Sequence, residues 1–111
     1  LYRTIMENEY IIEGNKLIAE FEGWKESNNF LPYNISWGWL MPVVEKIIKK
    51  HMTDYYNEYD MSYPESYFVT IGSDGKYCSQ GTSKNSLIEA TWIAVVEFIK
   101  WYNNEQINNN R

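Results

Sequence analysis

The sequence predicts an α+β domain in which three helices pack with a small, mainly antiparallel sheet. Three observations predict it. Apolar residues recur at helical spacing over 7–22 and again over 37–51. Two β-rich runs, 67–71 and 76–80, flank an Asp-Gly dipeptide, the strongest short-range hairpin signal. A third helical pattern over 84–102 is apolar around most of its circumference. At 111 residues, 44% of them apolar, the chain fits a single domain, 1–111, with one core that requires no disulfide or metal.

The first helix is predicted over 7–22. Tyr10, Leu17, Phe21 and Trp24 recur near helical spacing with Ile11 and Ile18 beside them, and Gly23 is a natural stop. Gly14 costs about 1 kcal/mol relative to alanine inside such a pattern. Met6-Glu7-Asn8-Glu9 reads like a start, with residues 1–5 an extension ahead of it. Residues 25–36 read as a connection, polar at first, with a short extended piece at 30–33 that Pro32 confines to a sheet edge. In the second helix Leu40, Val44, Ile47, Ile48 and His51 make one face, and Glu45, Lys46, Lys49 and Lys50 the other. Pro42 is best tolerated in a first turn, so regular helix is expected from about Leu40, with Trp37-Gly38-Trp39 an entry turn.

The hairpin 67–71/76–80 turns at Gly72-Ser73-Asp74-Gly75. Two strands alone are marginal, so a third is expected, from 30–33 or from part of 59–66. Thr82-Ser83 or Ser86 is the N-cap of the last helix. Glu89, Glu97, Lys100 and Asn104 give that helix only a narrow polar strip, which places it between a sheet and another helix. Residues 104–111 read as a frayed polar tail.

Ten Lys and Arg against 15 Asp and Glu leave a net charge of −5, which argues against holding nucleic acid by neutralising phosphates. It is compatible with binding a basic protein surface. Aromatic content of 17% is foreign to disordered chains. The single cysteine, Cys78, has no partner for an internal disulfide, so a reducing, cytoplasmic setting is expected. No apolar run approaches the ~20 residues of a membrane span. Asn, Ile, Tyr and Lys make up 42 of the 111 residues, the signature of an AT-rich genome, which weakens any functional reading of the Asn and Lys counts.

No catalytic constellation is visible, and the expectation is a non-enzyme without cofactor or metal. His51 and Cys78 are the only residues of their kinds; a thiolate nucleophile needs an adjacent base, and the two read more simply as a helix-end cation and a small buried hydrophobe. Asp54, Glu58, Asp60 and Glu65 lack the spacing of a calcium loop. Ser73-Asp74-Gly75-Lys76 lacks the glycine and Lys-Ser/Thr pattern of a P-loop.

Residues 53–66, TDYYNEYDMSYPES, hold four tyrosines, four acids and no base, without a clear period. As an extended loop this segment can set carboxylates at intervals like a phosphate backbone, while tyrosine adds contact area at low entropic cost. Asp54, Tyr55, Tyr56, Glu58, Tyr59 and Asp60 are the candidate partner-binding residues. Trp37 and Trp39 divide evenly between core and contact surface, and Trp92 reads as core. The alternative is a small RNA-binding module. The hairpin followed by Gly81-Thr82-Ser83-Lys84 and a helix is similar to double-stranded RNA-binding domains, and Lys46, Lys49, Lys50 and Lys84 are its candidate phosphate contacts.

Three blocks, NKLIAEFEGW at 15–24, WGWLMPVVEKI at 37–47 and IEATWIAVVEFIKWYN at 88–103, cover 37 of the 111 residues. In order and spacing they resemble the small phage and prophage proteins described as α-β-α sandwich domains. Residues 53–66 do not align with that pattern. The resemblance implies a sheet between helices, a phage source and no catalytic residues. It also implies a protein that binds and disables a host factor, such as a CRISPR or other nuclease-type defence effector.

Overall fold

The computed structural model describes residues 2–24, 31–62, 65–73 and 76–109. The element order is α1 (Tyr2–Phe21), α2 (Trp37–His51), β1 (Asp54–Asp60), β2 (Ser66–Ser73), β3 (Lys76–Ser83) and α3 (Leu87–Asn109). The three strands form one antiparallel sheet in the order β1-β2-β3. The α+β class, the three helices and the hairpin are as the sequence predicts. The predicted turn residues Asp74 and Gly75, and the polar start of the connection at 25–30, lie outside the described residues.

Helix α3 is the middle layer. It packs on β2 and β3 with one side and meets α1 and α2 with the other. Ala90, Thr91, Trp92, Ala94, Val95, Val96, Phe98 and Ile99 are all buried along it, which is why its apolar residues run around the helix. The sheet is therefore an outer layer among the described elements, and the helix occupies the centre where the sandwich resemblance implied a sheet.

A close approach sets the distance between α3 and the sheet. A Cβ on Gly81 of β3 would collide with the Ala90 carbonyl and lie 2.6 Å from the Ala94 nitrogen. Glycine on the strand and two alanines one turn apart on the helix let backbone meet backbone. Ser79 Oγ donates to the Ala94 carbonyl at 2.8 Å in the same contact. Ser86 is the N-cap of α3: its hydroxyl accepts from the Glu89 N–H at 3.2 Å. Ser83 supports it, accepting from the N–H groups of Asn85 and Ser86 and donating to the Glu89 carboxylate at 2.9 Å.

Several expectations are corrected. The third strand is β1, which shares only Tyr59 and Asp60 with the expected 59–66; of the other candidate, Phe30 lies outside the described residues and residues 31–36 form a turn that buries Tyr33. Helix α1 begins at Tyr2 and its buried line runs through Gly14, Asn15, Ile18 and Ala19, while Tyr10 and Trp24 are exposed. Helix α2 is regular from Trp37, so Pro42 sits in its second turn. Proline there has no N–H for the Gly38 carbonyl, and both residues are exposed, so that carbonyl is not sealed from solvent. Helix α3 continues to Asn109, through most of the expected tail.

Candidate functional site

Within the candidate segment 53–66, Asp54–Asp60 form a strand where an extended loop was expected. Thr53 ends the α2 turn, its hydroxyl donating to the Ile47 carbonyl at 3.2 Å. Met52 before it adopts the left-handed conformation (φ 53°, ψ 43°), which reverses the chain from helix into strand. β1 then pairs with β2 in the register Asp54↔Gly72 to Asp60↔Ser66. Tyrosine has a high strand preference, so three tyrosines among seven residues favour this conformation once a partner strand is available.

Strand alternation divides the six candidate residues. Asp54, Tyr56, Glu58 and Asp60 share the face turned away from the helices, together with Phe68 and Thr70 of β2 and Gln80 and Thr82 of β3. Asp54, Tyr56 and Glu58 are exposed, Tyr56 at 62%, and Asp60 is half-buried. Tyr55 and Tyr59 belong to the helix-facing side. The Tyr55 hydroxyl is 3.0 Å from Thr91 Oγ1 on α3, and its ring packs against the core. Tyr55 is thus a structural residue, which satisfies the buried Thr91 hydroxyl in the second turn of α3. Tyr59 lies beyond the cover of the helices, 46% exposed, its ring against Tyr67 at 4.8 Å and its hydroxyl donating to Glu65 at 3.0 Å. That bond holds the phenol protonated, so its pKa is raised.

At the far end of β1, Asp60 closes an Asx-type turn. Its carboxylate accepts from the Ser62 hydroxyl at 2.6 Å and the Ser62 N–H at 2.9 Å. These bonds lower its pKa, so the charge is held. Glu58 and Asp60 are two residues apart, about 6.8 Å along a strand. Tyr63 of the candidate segment lies outside the described residues.

The alternative basic set is divided by the fold. Lys46 turns inward: its ammonium donates to the Phe21 carbonyl at 2.9 Å, lies 3.2 Å from Glu22 and sits 4.7 Å from the Phe21 ring centre. Lys49 and Lys50 are exposed at the end of α2, just before Asp54. Lys84 is exposed beyond Ser83, which pairs with Tyr67, itself opposite Tyr59. About 17 Å of strand separates the two ends. These lysines do not form one surface.

His51 stands in an aromatic cluster with ring centres at 4.6 Å to Tyr102, 5.4 Å to Phe98 and 5.9 Å to Phe21. Burial, then Lys46 and Lys50, lower its pKa below 6.5. The side chain of Cys78 lies outside the described ones; its backbone is the extra residue of a bulge opposite Ile71 and Gly72. Among the described residues no three His, Cys, Asp or Glu side chains converge as a metal site. None of the described helices is long and apolar enough to cross a membrane.

One arrangement escaped the sequence reading. Asn15 is buried on α1; it accepts from the Trp92 indole N–H at 2.8 Å and donates to Asn34 at 3.0 Å. Gly14 beside it leaves room for the Trp92 ring, which a Cβ would strike. This network joins α1, the 31–36 turn and α3, and its Asn34 and Trp92 also line a groove of about 520 Å³ with Tyr10, Ile11, Ile35 and Ile88 among others. A glycine-asparagine pair within a helical apolar pattern was the available signal.

The fold and the site together define an α+β domain that presents an acidic, tyrosine-bearing edge strand on an open sheet face. The chain matches no protein-family model, and no curated protein or solved structure is significantly similar to it.

Proposed function

We propose that this chain is a non-catalytic, phage-type binding protein that inhibits a host factor, a CRISPR or other nuclease-type defence effector, from within the host cytoplasm. The contact surface is the outer face of β1. The observation that carries the reading is the outward row of Asp54, Tyr56, Glu58 and Asp60 on a sheet face that the helices leave open. Charges held on a strand cost less to order on binding than charges on a free loop. A row of carboxylates beside an exposed phenol matches a basic channel that normally receives a nucleic-acid strand. Support also comes from the charge balance of −5 and from the resemblance of the three helical blocks to small phage proteins.

The test is a pull-down from bacterial host lysate with the natural chain and with the triple variant Asp54→Lys, Glu58→Lys, Asp60→Lys, read by mass spectrometry. Recovery of a nuclease by the natural chain and its loss by the variant is the expected result. Retention of the same partner by a folded variant sinks the acidic-face reading. Direct recovery of RNA or DNA, released by added salt, replaces it with nucleic-acid binding.

A further inference from the structure

β1 is the first strand of the sheet and, among the described residues, pairs with β2 alone. An antiparallel strand turns alternate N–H and C=O groups to either side, so β1 directs a row of backbone donors and acceptors away from β2. Among the described residues no backbone hydrogen bond reaches that edge from elsewhere in the chain. Proteins commonly blunt such an edge with charged side chains, above all lysine, or with proline, a bulge or shortness. β1 has seven residues and no proline, the bulge of this sheet lies on β3, and the only charges of β1 are the acids Asp54, Glu58 and Asp60, which repel an acidic strand and leave the edge open to a basic one. Its length is about 24 Å, enough for a strand of equal length to pair along it.

The charge on β1 selects the occupant. A second copy adding its own β1 would set acid beside acid, and like charges on neighbouring strands are destabilising. An extended segment with Lys or Arg at alternate positions would place its cations beside Asp54, Glu58 and Asp60 and over the Tyr56 ring. We propose that the open edge of β1 takes up an extended basic segment of its partner protein as a fourth strand of the sheet. This rests on the reading of β1 as the partner-binding surface and adds the way it binds: main-chain pairing holds the segment, and the acidic row selects its charge.

The probe is an end-capped nine-residue peptide of alternating Lys and Val or Thr. Binding is read by calorimetry and by hydrogen exchange of the β1 amides. Two further peptides carry backbone N-methyl groups on alternate residues, one for each set of amides, and a fourth has Glu in place of Lys. The expected result is slowed exchange at alternate β1 amides, at least tenfold weaker binding by one N-methylated peptide, and no measurable binding of the Glu peptide. The triple Lys variant should lose the Lys peptide by at least tenfold. Equal binding of both N-methylated peptides with full sensitivity to the triple variant overturns strand addition and leaves the acidic-face reading standing. Undiminished binding to a folded triple variant overturns both. Absence of binding at millimolar Lys peptide, or pairing of β1 with β3 of another copy instead, also overturns strand addition.

Discussion

At the scale of single residues, the least replaceable positions lie where small or polar side chains stand in the core. Gly14 faces the Trp92 ring, which is 3% exposed and held by Asn15, so the ring has nowhere to move. Gly14→Ala should gain about 1 kcal/mol of helix preference and lose about 1–3 kcal/mol to overpacking. A net loss of stability is the expected outcome in urea unfolding. Asn15→Ala leaves the indole N–H of Trp92 buried without its acceptor and should cost about 1–3 kcal/mol, with a change in tryptophan fluorescence. His51 makes stability depend on pH. Its folded pKa is below 6.5, so between that value and 6.5 the unfolded chain binds more protons. The contribution is complete above 6.5 and is lost as pH falls through the folded pKa. Thermal melts between pH 7 and 5.5 should decline for the natural chain and flatten for His51→Gln.

At the scale of elements, two junctions decide how the pieces meet. Met52 carries a side chain in the left-handed region at the end of α2 while 83% exposed. Nothing in its packing requires methionine, and Met52→Gly should stabilise by about 0.5–1 kcal/mol, as a rise in the denaturation midpoint. Gly81 has the opposite character. Gly81→Ala pushes a methyl group into the α3 backbone at Ala90 and Ala94, which cannot yield as a flexible side chain would. The expected loss is about 1–3 kcal/mol or more. The hairpin and the helices were legible because their apolar periods are local. β1 was not: its sequence DYYNEYD has no aliphatic residue and no fully buried position. Its strand state comes from pairing with β2, a non-local interaction. The acids and Tyr56 on alternate positions, against Tyr55 and Tyr59 on the others, are the trace of a two-sided strand.

At the scale of the molecule, the charge is distributed away from the core. Each Asp or Glu to Lys change adds two charges, so the triple variant takes the net charge from −5 to +1. Asp54 and Glu58 are exposed and Asp60 is at the strand end, so the fold should survive, with a melting temperature within a few degrees of the natural chain. Tyr55→Phe is the converse control. It removes the partner of the buried Thr91 hydroxyl and should cost about 1 kcal/mol while leaving partner binding intact. A variant that loses binding with its fold unchanged thus identifies the outer face, and one that loses stability with its binding unchanged identifies the inner.

The sequence by itself determined the class of this protein and most of its elements. Helical apolar spacing and a helix apolar all round are consequences of burial, and an Asp-Gly hairpin signal is a consequence of turn conformation; each segment carries its own locally. The tertiary structure decided what those elements do together. It placed α3 at the centre by the close approach of Gly81 to Ala90 and Ala94, and drew Lys46 inward to the end of α1. It also turned the acidic tyrosine segment into an edge strand with one structural tyrosine and one outward row. Those outcomes depend on which surfaces meet across the chain, and local spacing does not encode a partner strand or an approaching helix.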